Sequence, residues 1–191
     1  MTARCGTAPA LRARLRAATQ DDHQELDDAL GGLDLADWHD YARFLRVQSR
    51  ARMGVESWLA RYCPPEWLPP AQTGLIAADL AALGCDQVGR LDENAPAFAH
   101  QKEGSVAWLG AAWVLAGSSL GNRMMERELT GRAPESWPMQ FLRDDTMPAY
   151  FKALRPLLAS DEINLDAERA ARAVFAHFSR EAARQLVAIA A

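Results

Sequence analysis

His23, Asp27 and Arg16 are the first residues in this chain whose types and spacing suggest chemistry. They lie in the helical run Leu15-Arg16-Ala17-Ala18-Thr19-Gln20-Asp21-Asp22-His23-Gln24-Glu25-Leu26-Asp27. At about 100° per residue, Leu11, Leu15, Ala18, Leu26, Ala29 and Leu30 share one arc. His23 stands at the edge of that arc, where an imidazole can reach inward. Asp27 follows one turn later, on the side where a carboxylate can accept from the second ring nitrogen and fix the tautomer of a metal-bound histidine. Arg16 comes seven residues before His23 and has nearly the same azimuth, displaced by roughly 10 Å along the axis. A flat anionic ligand could touch both. A lone histidine beside an apolar face is also an ordinary boundary residue, and Asp22, nearer the middle of the arc, has no explanation in the sequence.

The second stretch is Trp113-Val114-Leu115-Ala116-Gly117-Ser118-Ser119-Leu120-Gly121, where a helical pattern carries two glycines four apart. Glycine costs about 1 kcal/mol relative to alanine inside a helix, so Gly110, Gly117 and Gly121 together ask for a compensating reason. They fall within a narrow arc flanked by Trp113 and Met124. Backbone exposed between two large apolar side chains lets either a flat ligand or another helix approach closely, and paired glycines permit a kink.

Composition limits what these segments can serve. The chain has 191 residues, 49% hydrophobic and 24% charged, which suits one compact domain with a sizeable core. Its net charge of −4 and interspersed arginines lack the basic stripe of a nucleic-acid binder. Cys5, Cys63 and Cys85 are odd in number and have no CxxC spacing, against a disulfide framework or a zinc site. No signal-type pattern precedes residue 30, so a cytoplasmic location is expected. Residues 104–121 carry no charge, yet their glycines and serines fit a buried helix better than a membrane span. No membrane partner is expected.

The elements that must position the two stretches are all helical. Residues 1–7 read as a loose tail before a single domain over 8–191. Thr7 and Pro9 supply start signals for one helix running to about Leu30, where Gly31-Gly32 ends it. Asp34 or Asp37 caps a second helix reaching Tyr62, with Trp38, Tyr41, Phe44, Leu45, Gln48, Val55, Trp58 and Leu59 at helical spacing. Cys63-Pro64-Pro65 stops it. Residues 73–83 form a short apolar helix ended by Gly84, and a polar segment broken by Pro96 leads past His100 to the glycine helix, which Ser105 could cap. Tyr150-Phe151-Lys152-Ala153-Leu154-Arg155 precedes Pro156, and a terminal helix runs from Asp166 to Ala191. No segment shows sustained period-two alternation. The expected fold is all-α, with six or seven helices. No histidine has a glutamate three residues before it, which disfavours a di-iron bundle.

Taken together, the two stretches resemble the heme oxygenase family, in particular its bacterial biliverdin-producing branch. In that family the proximal ligand is a histidine of an N-terminal helix, in a setting like Leu15-Arg16-Ala17-Ala18-Thr19 followed by His23. The distal helix is kinked over the heme at glycines, and Gly117-Ser118-Ser119-Leu120-Gly121 is similar to the bacterial form of that motif. Animal-type members have an aspartate where this chain has Ser118, and many members have a glycine where it has Asn122.

The resemblance implies a site residue by residue. His23 would be the axial iron ligand and Asp27 the carboxylate behind it. Gly117, Ser118 and Gly121 would form the catalytic face, with Trp113 and Met124 against the heme. Arg16, Lys152 and, more weakly, Arg155 would meet the propionates, although each also reads as solvated surface charge. Heme would be both substrate and oxygen-activating cofactor, and molecular oxygen the co-substrate. The products would be biliverdin, ferrous iron and carbon monoxide. Electrons would come from a partner such as a ferredoxin or a flavin reductase, since no nucleotide-binding glycine fingerprint is present. Arg123, Arg127 and Arg132 could face such an acidic donor. Delivery of biliverdin to a photoreceptor, iron acquisition and heme disposal are all compatible uses. Two other readings stand beside this one: a heme carrier or sensor without turnover, which Asn122 would favour, and a helical scaffold of the same topology binding another ligand.

Overall fold

The computed structural model describes residues 9–85, 97–99, 106–162 and 164–187. Among them the chain forms seven α-helices and a short 3-10 turn at Pro65–Trp67, with no strand. The expected tail over 1–7, the Thr7 start signal, Cys5, the Pro96 break, His100, the Ser105 cap and the last residues to Ala191 lie outside the described residues.

The first helix departs from expectation. Instead of one run there are two, α1 (Leu11–Ala18) and α2 (Gln20–Leu30), interrupted at Thr19 with φ −114° and ψ 6°. The Thr19 hydroxyl donates to the Leu15 carbonyl at 2.9 Å, and the Thr19 amide donates to the same oxygen at 3.1 Å. A side chain that binds the carbonyl four residues back competes with the helix ladder and bends it. Leu11 and Leu15 are buried, whereas α2 buries no side chain fully. The reason for Asp22 also emerges: its carboxylate accepts from Arg172 Nε at 3.0 Å, tying α2 to the terminal helix.

Helix α3 (Trp38–Tyr62) begins at Asp37, whose carboxylate accepts from the His39 and Asp40 amides at 2.9 and 3.1 Å. Cys63 in extended conformation before Pro64 ends it. Helix α4 (Thr73–Ala82) starts on a cap lent by α3, since Glu56 accepts from the Gln72 amide and the Thr73 hydroxyl, both at 2.9 Å. Gly84 follows at φ +72°, a conformation only glycine adopts readily.

Helix α5 (Ala107–Leu129) runs continuously through Gly110, Gly117 and Gly121. Helix α6 (Thr146–Leu158) continues past Pro156, and α7 (Leu165–Val187) closes the fold. Helix α7 is the common support, packing against α1, α2, α3 and α5.

Apolar burial divides between two clusters. One joins Leu11 and Leu15 to Val55, Leu59, Leu115, Leu154, Val174 and Phe178. The other gathers Tyr41, Phe44, Leu45, Ile76, Leu80, Leu129, Phe141 and Leu142 around the start of α3. Buried Asp79 anchors the second cluster's loop by accepting from the Gln140 and Phe141 amides, each at 2.9 Å.

Candidate functional site

His23 stands on α2 with its Nδ1 2.8 Å from Asp27 Oδ2, one helical turn on. A ring nitrogen that donates to a carboxylate leaves Nε2 with its lone pair available, the arrangement a metal-bound imidazole requires. The side chain is 60% exposed, so an incoming ligand can reach it. Its ring rests against Phe175 of α7, with centroids 5.6 Å apart, and Phe175 is itself buried. Phe175 is therefore part of the floor under the histidine.

The three glycines of α5 do two different jobs. A methyl group on Gly110 would overlap the carbonyl of Ala167, so this glycine lets α5 and α7 touch backbone to backbone. Beyond their own helix, Gly117 and Gly121 have no atom of the described residues within 4 Å of where a Cβ would stand. Of the two expected uses of bare backbone, Gly110 serves helix packing, while Gly117 and Gly121 present an open face. Leu120 and Met124 border that face, 62% and 69% exposed. Trp113 is half-buried against the main core. Asn122 is buried and points away from solvent.

Ser118 and Ser119 turn their hydroxyls back on their own helix, donating to the carbonyls of Leu115 and Ala116 at 2.8 and 2.6 Å. Such back-bonding favours a bend in a helix. Ser118 has a second contact that the sequence did not suggest. Arg52 of α3 donates from Nη2 to the Ser118 hydroxyl at 2.6 Å and from Nε to Gln48 Oε1 at 3.3 Å. Arg52 is fully buried, with its guanidinium 5.0 Å from the Phe141 ring centre. Burial pulls its pKa down to about 10, against the opposing pull of Glu56 and Asp144, so it stays charged at neutral pH. A signal for it was present: Arg52 falls at the azimuth of Tyr41, Leu45 and Leu59, in the middle of the apolar arc of α3.

The remaining expected residues are less tightly gathered. Arg16, Lys152 and Arg155 are exposed and make no ion pair among the described residues. The shared azimuth of Arg16 and His23 assumed a continuous helix, and the break at Thr19 removes that alignment. Of the arginines considered for a donor surface, Arg123 pairs with Asp145 and Glu126, and Arg132 with Asp34 and Glu128. Arg127 is exposed.

A solved structure of the NO- and CO-bound heme oxygenase from Neisseria meningitidis superposes on this chain with a TM-score of 0.66. The match covers 93% of this chain and 92% of that one, at 19% sequence identity. The chain has the heme oxygenase fold. No family model matches the sequence, and no curated protein matches it. Within the heme oxygenase fold, α2 with His23 and α5 with the open glycine face are both held by α7. Among the described residues no helix is long and apolar enough to cross a membrane.

Proposed function

We propose that the protein is a heme oxygenase that cleaves heme to biliverdin, ferrous iron and carbon monoxide. The observation that carries this reading is the His23–Asp27 pair, an accessible imidazole with one nitrogen engaged and the other free. Among the described residues no three metal-ligating side chains converge, so a metal taken by His23 would have to bring its other ligands with it. Heme does so.

The residues present fit that group. His23 would hold the iron and Asp27 would fix its tautomer. Gly117 and Gly121 leave space for a flat ring against backbone, and exposed Leu120 and Met124 offer it apolar contact beside Trp113. Ser118 would supply a hydroxyl at that face, and Arg16, Lys152 and Arg155 are free cations for the propionates. When bound, heme supplies the oxygen and redox chemistry. The protein's part is to orient the ring, exclude water and provide hydrogen bonds from Ser118 and the glycine backbone. Molecular oxygen would be the co-substrate, and a ferredoxin or flavin reductase in the cytoplasm the electron source. Delivery of the biliverdin to a photoreceptor is one compatible use.

Absorbance-monitored hemin titration of the wild type and His23→Ala, followed by ascorbate and air, tests this reading. Support would be one-to-one binding altered in the variant, with a biliverdin band only in the wild type. Heme bound through His23 that survives both ascorbate and a protein electron donor would instead identify a carrier or sensor.

A further inference from the structure

Helix α2 carries the proposed iron ligand on a thin anchorage. None of its side chains is fully buried, and its apolar residues Leu26 and Leu30 are only partly covered. The break at Thr19 bounds it on one side and Gly31-Gly32 on the other. Asp21, Asp22, Glu25, Asp27 and Asp28 are acids, and the helix has no basic residue to offset them. Asp21 with Glu25 and Glu25 with Asp28 stand at spacings where like charges repel.

Asp22 differs from the other four acids. It is partly buried where they are exposed, and among the described residues it is the only acid of α2 paired with another helix. Its Oδ2 accepts from Arg172 Nε at 3.0 Å. Arg172 comes three residues before Phe175, so one turn of α7 presents both the guanidinium that meets Asp22 and the ring beneath His23. Beside the pair the two helices leave a groove of about 320 Å³ lined by Asp22, Glu25, Ser179 and Arg180, so side-chain packing does not lock them there. The ring contact with Phe175 is non-directional, whereas a guanidinium hydrogen bond has a fixed direction. Consecutive residues stand about 100° apart round a helix. Holding Asp22 therefore fixes the rotation of α2 about its axis, and with it the direction in which His23 points.

We propose that Arg172 is a positioning residue for His23, acting through Asp22 to set how α2 is turned against α7. His23 remains the group that meets the ligand. The identity of what it binds rests on the heme reading, and the orientation of its ring does not.

The test compares the wild type with Arg172→Gln, Arg172→Lys and the exchanged pair, Asp22→Arg with Arg172→Asp. In heme-free protein, amide hydrogen exchange in α2 should quicken by about threefold or more in Arg172→Gln, with α3 unchanged. The proton NMR contact between the His23 and Phe175 rings should weaken in the same variant. Arg172→Lys and the exchanged pair should restore both. In hemin-loaded, reduced protein the iron–histidine stretching band should shift or broaden in Arg172→Gln and return in the two rescuing variants, which a general loss of stability would not produce. Unchanged exchange and ring contact in Arg172→Gln overturn the proposal, as does a change that neither rescuing variant reverses. An iron–histidine band identical in all four proteins overturns it as well. If hemin does not bind the wild type, the heme reading fails, and the exchange and ring-contact measurements alone decide the role of Arg172.

Discussion

Gly110 and Ala167 meet backbone to backbone where α5 crosses α7, with no room for even a methyl group between them. The overlap would be with main chain on a helix that also supports α1, α2 and α3, so no side-chain rotation relieves it. Gly110→Ala should therefore destabilise the protein by about 1–3 kcal/mol, as overpacking does. Urea unfolding measures this. A variant as stable as the wild type would mean that the two helices can separate without loss.

Gly117 lies two turns further along the same helix and should respond in the opposite sense. Among the described residues nothing outside its own helix stands near its missing Cβ, so Gly117→Ala should leave stability unchanged or raise it by up to about 1 kcal/mol through helix propensity. The new methyl would occupy the face proposed for heme. Hemin affinity or biliverdin formation should fall while the unfolding midpoint does not. Full turnover in this variant would move the heme to another surface.

The contrast between these glycines shows what could be read from sequence. Their shared arc was legible from the helical period, and so were α3 with a cap at Asp34 or Asp37, of which the structure uses Asp37, the stop at Cys63-Pro64 and the glycine stop at Gly84. Which glycine faces a helix and which faces open space depends on where α7 docks, and no local pattern encodes that. The break at Thr19 was missed because a threonine in a helical pattern has no fixed effect until its hydroxyl chooses a partner. Asp22 was visible as an anomaly, but its partner Arg172 lies on the last helix. Arg52 also carries a charge into an apolar arc but was passed over, and only the fold brings Ser118 to it.

Asp27 should matter to the ligand more than to the fold. Its carboxylate and the His23 ring are both well exposed, so their pairing adds little to stability. Asp27→Asn keeps an oxygen in reach but removes the charge that holds the ring tautomer. Hemin affinity or turnover should drop by about 10-fold or more, as for other carboxylates behind metal-bound histidines, with an unchanged unfolding midpoint. Titration curves that superpose with those of the wild type would remove Asp27 from the site.

His177 should give the fold a pH dependence of its own. It is buried on α7, donates from one ring nitrogen to the Ala51 carbonyl of α3, and among the described residues finds no hydrogen-bond partner for Nε2. Burial, reinforced by Arg180 and Arg184 and opposed by Glu181, holds its pKa below the ordinary 6.5. Glu181 does little to offset this because it already accepts from Arg50 at 3.0 Å and Arg184 at 2.7 Å. Below pH 6.5 the unfolded chain binds a proton at this side chain that the folded chain refuses. The unfolded state then holds more protons, and stability falls as pH falls. The urea midpoint should decline as the pH falls through and below the ordinary histidine value of 6.5. His177→Gln, whose amide can still donate to Ala51 but does not titrate, should flatten that decline. Equal slopes in the two proteins would place the pH dependence on other groups.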